Sequence, residues 1–181
     1  MTIAGRRCGL PKNDLISSFL SIFQAKSSPE SSVFKDGMGN FEIKYPKDWK
    51  HDKDIAIVDG KYAVSFESRG GKQKFCVSID ASLPKRFDFA EYVHSELEGP
   101  ASGICCDLKR SRFRGMPSYK REYVFTSGGV RYLAGGLIFH PMNLVFSISW
   151  SAPENDKQTQ EIFEKMIRSL AIKGSISRGV A

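Results

Sequence analysis

Few side chains in this 181-residue chain have types and spacings that could do chemistry. The adjacent pair Cys105 and Cys106 raises thiol–disulfide exchange. His51, Asp52 and Asp54 form a short cluster that could hold a metal or move a proton. Lys109, Arg110, Arg112, Arg114, Lys120 and Arg121 form a basic run, with Phe113, Tyr119 and Tyr123 interleaved.

Local geometry weakens the first two. On a strand, neighbouring residues point to opposite faces, and a disulfide between them would need a distorted peptide. Cys105 and Cys106 therefore read as one core cysteine and one on the other face. The His51 cluster has no further ligand at a matching spacing and reads as a solvated loop after Trp49. GxSxG, HExxH and Walker A patterns are all missing from the sequence. The paired glycines of GGKQKF and SGGVRY precede no helix, so they read as hairpin turns rather than phosphate cradles. No catalytic residue, cofactor-binding residue or metal ligand is assigned, and the chain reads as non-enzymatic.

The basic run holds more interest. On a strand, Arg110, Arg112 and Arg114 share one face. A basic sheet surface with aromatic rings can hold single-stranded nucleic acid. The simpler reading is a solvated face or edge, where charge also blocks strand-to-strand aggregation. Asp107 and Glu122 dilute the positive field, which favours the simpler reading. The six cations remain the candidate partner-binding residues.

The formal charge of +7 and pI near 9.3 permit an acidic partner without demanding one. An apolar fraction of 41% and an aromatic fraction of 12% suffice for a folded core and argue against disorder. The four cysteines include no CxxC pair and the three histidines are scattered. That excludes a disulfide framework and a zinc pattern, and it suits a reducing, cytoplasmic setting. No apolar run approaches the roughly 20 residues of a membrane span. Leu15–Phe23, behind Arg6 and Arg7, superficially resembles a signal peptide. Lys12, Asn13 and Asp14 intrude before it and serines interrupt it, so it reads as mature sequence.

The elements that would position these side chains come from periodicity. Residues 13–25 predict an amphipathic helix with Leu15, Phe19, Ile22 and Phe23 on one face, able to pack on the main domain or on a second copy. A Ser-rich linker follows, so residues 1–33 form an appendage. FEIKYPKDW alternates from Phe41 to Tyr45 and stops at Pro46. Strands are predicted at 55–59, 62–68 and 74–83. A helix begins near Asp88, which has capping-box spacing to Glu91. Strands follow at 103–113, 119–125, 130–139 and 143–150. A last helix is predicted from a Ser151–Glu154 capping box, with Thr159, Ile162, Phe163, Met166, Ile167 and Leu170 as its stripe. The main domain spans 34–173, and 174–181 read as a flexible tail. Short turns between strands make the sheet antiparallel, and the class is α+β, an α/β/α sandwich around a central antiparallel sheet.

The pairing of FEIKYPKDW with NLVFSISWSAPENDKQTQEIFEKMIRSL resembles the PsbP-like family, which takes in the extrinsic PsbP subunit of photosystem II and the DcrB-like domains. The likeness covers roughly residues 34–173. It implies the same α/β/α sandwich and a binding or assembly role with a protein partner. No residue matches a metal site of the photosystem subunit, so no metal is carried over. A nucleic-acid module and a small-molecule or lipid module stand as alternatives.

Overall fold

The computed structural model describes residues 30–52, 60–84, 86–98 and 108–173. The chain divides into Met1–Glu30 and Ser31–Ala181, and the elements below belong to the second unit. The expected helix at 13–25, strand at 55–59, Cys105–Cys106 pair and tail from Gly174 lie outside the described residues.

Among the described residues, ten strands and two helices follow in order: β1 (Ser31–Lys35), β2 (Phe41–Pro46), β3 (Lys50–Asp52), β4 (Lys61–Glu67), β5 (Lys74–Asp80), α1 (Phe89–Glu98), β6 (Lys109–Phe113), β7 (Met116–Ser127), β8 (Val130–Phe139), β9 (Val145–Pro153), α2 (Lys157–Ser169) and β10 (Ala171–Ile172). They form a three-stranded sheet, β1-β2-β10, and a seven-stranded sheet, β3-β4-β5-β9-β8-β7-β6. Every pairing is antiparallel.

Alternation assigns each face of the large sheet. Phe75, Val77 and Ile79 stand opposite Trp150, Ile148 and Phe146, so all six share what we term the inner face. All but the half-buried Trp150 are buried, with Val64, Phe66, Leu137 and Phe139, beneath Phe163, Met166 and Leu170 from α2 and its end and Phe34, Phe41 and Ile43 from the small sheet. Phe146 is fully buried. It stacks on Phe139 at 5.4 Å and meets Phe41 edge-on at 6.2 Å, joining the two sheets. On the outer face, Val93 of α1 covers Tyr119, Ile138 and Val145. The layers are therefore α2 with the small sheet, the large sheet, and α1. This is the α+β sandwich expected from the element order.

Trp49 is buried and meets Phe163 edge-on at 6.1 Å. The β1–β2 turn is anchored from inside. Asp36 Oδ2 accepts from the Tyr62 hydroxyl at 2.8 Å and from Asn40 N at 3.0 Å. Burial, with help from Asp36, pushes the Tyr62 phenol well above its ordinary range.

Three boundaries depart from the sequence reading. His51 sits in strand β3, not in a solvated loop: its ring packs near Phe34, Tyr45 and Phe66, and Nδ1 lies 3.2 Å from the Tyr45 hydroxyl. The two residues after α2 leave the helix and pair as β10 with β2. The last helix starts at Lys157 rather than after Ser151. Ser151 and Pro153 are held by the ladders to β5 and β8, and the cap is Asp156. Its Oδ1 accepts from Thr159 N at 3.0 Å and Oδ2 from Thr159 Oγ1 at 2.6 Å and Gln73 Nε2 at 2.9 Å. Those bonds outweigh partial burial and hold its carboxyl below the usual range. Asp156→Ala is expected to cost about 1–2 kcal/mol, the range for a lost N-cap, read as a lowered midpoint in urea with an unchanged slope.

Candidate partner-binding surface

Strand β6 is one rim of the large sheet. Its residues Lys109–Arg112 are exposed, and only Phe113 turns partly inward, its ring tilted against Phe139 at 4.7 Å. The register pairs Arg110 with Tyr119 and Arg112 with Pro117, and Lys109 with Lys120. Arg110, Arg112 and Arg121 therefore project on the outer face, and Lys109 and Lys120 on the inner one. Like charges directly opposite repel, and Glu122, 2.8 Å from Lys120 Nζ, offsets this.

Arg114 does not join the arginine face. The strand ends at Phe113, and Arg114 and Gly115 take φ of 51° and 82° in the turn to β7. Positive φ at both central positions is the hairpin geometry that follows strand twist. The Arg114 guanidinium donates to the Arg168 carbonyl at 2.8 Å and lies 5.2 Å from the Phe113 ring. It thus satisfies a carbonyl in the last turn of α2, where a cation is favoured. Arg112 Nη1 donates to the Gly115 carbonyl at 3.1 Å.

The aromatic residues divide too. Tyr119 is buried under α1, against Phe89 at 5.7 Å and His94 at 6.3 Å. Tyr123 and Phe125 stay half-exposed on the outer face. The Arg121 guanidinium lies 5.6 Å from the Tyr123 ring, and its stem crosses Gly136. A Cβ there would come within 3.2 Å of Arg121 Nε.

Beyond α1 the outer face is open, and its floor is small. Ser65, Cys76, Ser149, Ser151, Tyr123 and Phe125 line a groove of about 330 Å³. A second of about 230 Å³ takes in Lys61, Ser78, Asp80, Tyr92, Arg121 and Ser147. Asp80, almost fully buried, accepts from Ser82 N at 2.9 Å, Ser82 Oγ at 2.6 Å and the Tyr92 hydroxyl at 3.0 Å. Lys61 Nζ lies 3.2 Å from Asp80 and 2.9 Å from Glu96.

No protein-family model matches the sequence, and neither does any curated protein. The solution structure of cyanobacterial PsbP from Synechocystis superposes with a TM-score of 0.57 at 15% identity, over 82% of this chain and 96% of that one. The fold is PsbP-like. The Saccharomyces cerevisiae Ran-binding protein Mog1p matches at 0.52 and 9% identity, over 80% of this chain and 96% of that one. A protein from Bacteroides thetaiotaomicron matches at 0.55 and 18% identity over 79% of this chain, which spans about half (48%) of that longer protein.

Within this PsbP-like domain, Asp80, Lys61, Tyr92 and Cys76 in the grooves are moved away from neutrality. Burial alone would raise the Asp80 carboxyl, but its bonds from Ser82, Tyr92 and Lys61 hold it below the usual range. Glu96 chiefly raises Lys61 against a desolvation cost. Burial raises Tyr92, reinforced by Asp80, and burial raises the Cys76 thiol. Among the described residues no group of three His, Cys, Asp or Glu side chains could hold a metal ion. Likewise among them, no helix is long and apolar enough to cross a membrane.

Sequence reasoning named the basic run and missed the open trough. The signal was present in NLVFSISW: serine at alternate positions of a central strand marks a face that no apolar layer covers.

Proposed function

We propose that this domain is a non-catalytic binding module that docks an acidic protein surface along the β6 rim, using Lys109, Arg110, Arg112 and Lys120. The observation that carries the reading is the position of β6: an edge strand with four consecutive exposed residues, three of them cationic. Edge cations face solvent at little cost and supply the complementary potential that steers association. The Ran-binding role in the name of the yeast neighbour adds support for a protein partner in this fold. The shifts at Asp80, Lys61, Tyr92 and Cys76 support a non-catalytic reading, because general acid–base catalysis wants groups poised near neutral pH. Stacking of nucleic-acid bases is less favoured, since Tyr119 and Phe113 are turned into the core.

The test is a quantitative pull-down with the wild-type chain and the double variant Arg110→Glu/Arg112→Glu. A specific partner is expected to be lost on charge reversal, and to weaken as salt rises, with thermal stability unchanged. Arg114→Ala serves as a contrast, because it should lower stability without abolishing capture. Full retention of the partner by the reversed rim would sink the proposal.

A further inference from the structure

We infer that the open trough on the outer face, separate from the β6 rim, is a binding site for a small organic carboxylate with a flat apolar body. Arg121 is the first observation. It lines the smaller groove of about 230 Å³, which adjoins the larger one along the sheet, and among the described residues it has no hydrogen-bond or ion-pair acceptor; its partner is the Tyr123 ring. The other cations of the trough are matched: Lys61 by Asp80 and Glu96, and Lys74 by Glu67 at 3.3 Å. Arg121 is therefore the cation without an acidic partner among the described residues that line the two grooves. A planar guanidinium with open donors suits a carboxylate in a two-bond grip.

Gly136 is the second observation. With no side chain there, Arg121 lies down across the sheet instead of standing into solvent. This turns a surface arginine into part of a floor. Next to it along the same row are Ser149 and Cys76, and the Ser147 and Ser149 hydroxyls have no protein hydrogen-bond partner among the described residues. They can complete the shell of a bound oxyanion.

The third is the direction of the wall. Arg121, Tyr123 and Phe125 alternate along β7 on one face, so their backbone positions follow one another at intervals of roughly 7 Å. Phe125 is braced by Tyr132, stacked at 5.3 Å. A ligand gripped by its carboxylate at Arg121 lays its body over Ser151 and Ala134, against these rings. The groove of about 330 Å³ is at the small end of the range for small-molecule sites. An extended peptide is disfavoured here. The floor strands β5, β9 and β8 are paired on both sides, so a peptide would gain no main-chain pairing.

The experiment titrates the full chain with phenylacetate, with phenylacetamide as the uncharged control, followed by the backbone amides of Ala134, Gly136 and Ser149 in NMR spectra. Saturable shifts are expected with the acid, and at least roughly tenfold weaker ones with the amide. Arg121→Gln should weaken phenylacetate by a similar factor with the fold intact, and Arg121→Lys should restore part of it. Arg110→Glu/Arg112→Glu should leave it unchanged, which separates this site from the rim. Absence of saturation at millimolar phenylacetate, equal binding of acid and amide, or an unaltered Arg121→Gln titration would each overturn the assignment.

Discussion

Gly135→Ala is expected to destabilise the domain by about 3 kcal/mol, at the upper end for overpacking a filled site. Gly135 stands opposite Trp150 in the β8–β9 ladder, on the inner face. The indole lies directly over it. A Cβ on Gly135 would sit 2.3 Å from Trp150 Cζ2 and 2.4 Å from Cε2, closer than any non-bonded pair tolerates. The side chain involved is large and flat, half-buried against the main core. It can yield only by leaving that packing, and the buried apolar area goes with it. Urea unfolding measures the loss. The control is Trp150→Ala with Gly135→Ala. If the clash is the cause, the alanine at 135 should cost far less in the truncated background, leaving a large coupling energy. Additive costs would show that the strain lies elsewhere.

Phe146→Ala is expected to cost about 3–5 kcal/mol, the span for removing a buried phenylalanine. The ring is at 0% exposure and touches both sheets through Phe139 and Phe41. The void left behind is bounded by two sheets and a helix, none free to close on it alone. Thermal unfolding should show a much lower midpoint and, because the small sheet loses its contact, earlier exposure of Trp49 by fluorescence. Phe146→Leu, which keeps most of the volume, should recover the larger part. A cost near that of a surface substitution would mean that the sheets do not depend on this contact.

Much of the fold was legible because its signals are local. Leu144, Phe146, Ile148 and Trp150 alternate cleanly, Asp88 caps α1 by accepting from Ala90 N at 2.8 Å and Glu91 N at 3.1 Å, and the stripe of α2 is regular. What escaped depends on distant partners. Ser151 has a capping-box neighbour, yet the ladder with Lys74 keeps it in a strand and hands the cap to Asp156. His51 looked like a polar loop residue because nothing nearby in sequence announces Phe66 opposite it. For the candidate surface, local reading found the six cations but not their division. Whether a cation lies on one face, the other, or a turn depends on where β6 ends: it ends at Phe113, so Arg114 falls in the turn and reaches the α2 terminus instead of joining the face. The trough was less visible still, since it arises when small residues from four strands come into register.

The glycine pair in β8 also constrains how this chain can diverge. Gly135 and Gly136 are neighbours in sequence, yet each answers to a different residue on a different strand: Trp150 on one face, Arg121 on the other. Relatives should therefore show two independent couplings at adjacent positions. A lineage that shrinks residue 150 is free to gain a side chain at 135. One that loses the arginine at 121 is free to fill 136, and would abandon the anion grip while keeping the core. An alignment of orthologues sorted by residue 136 would then separate chains that keep the trough from chains that have closed it.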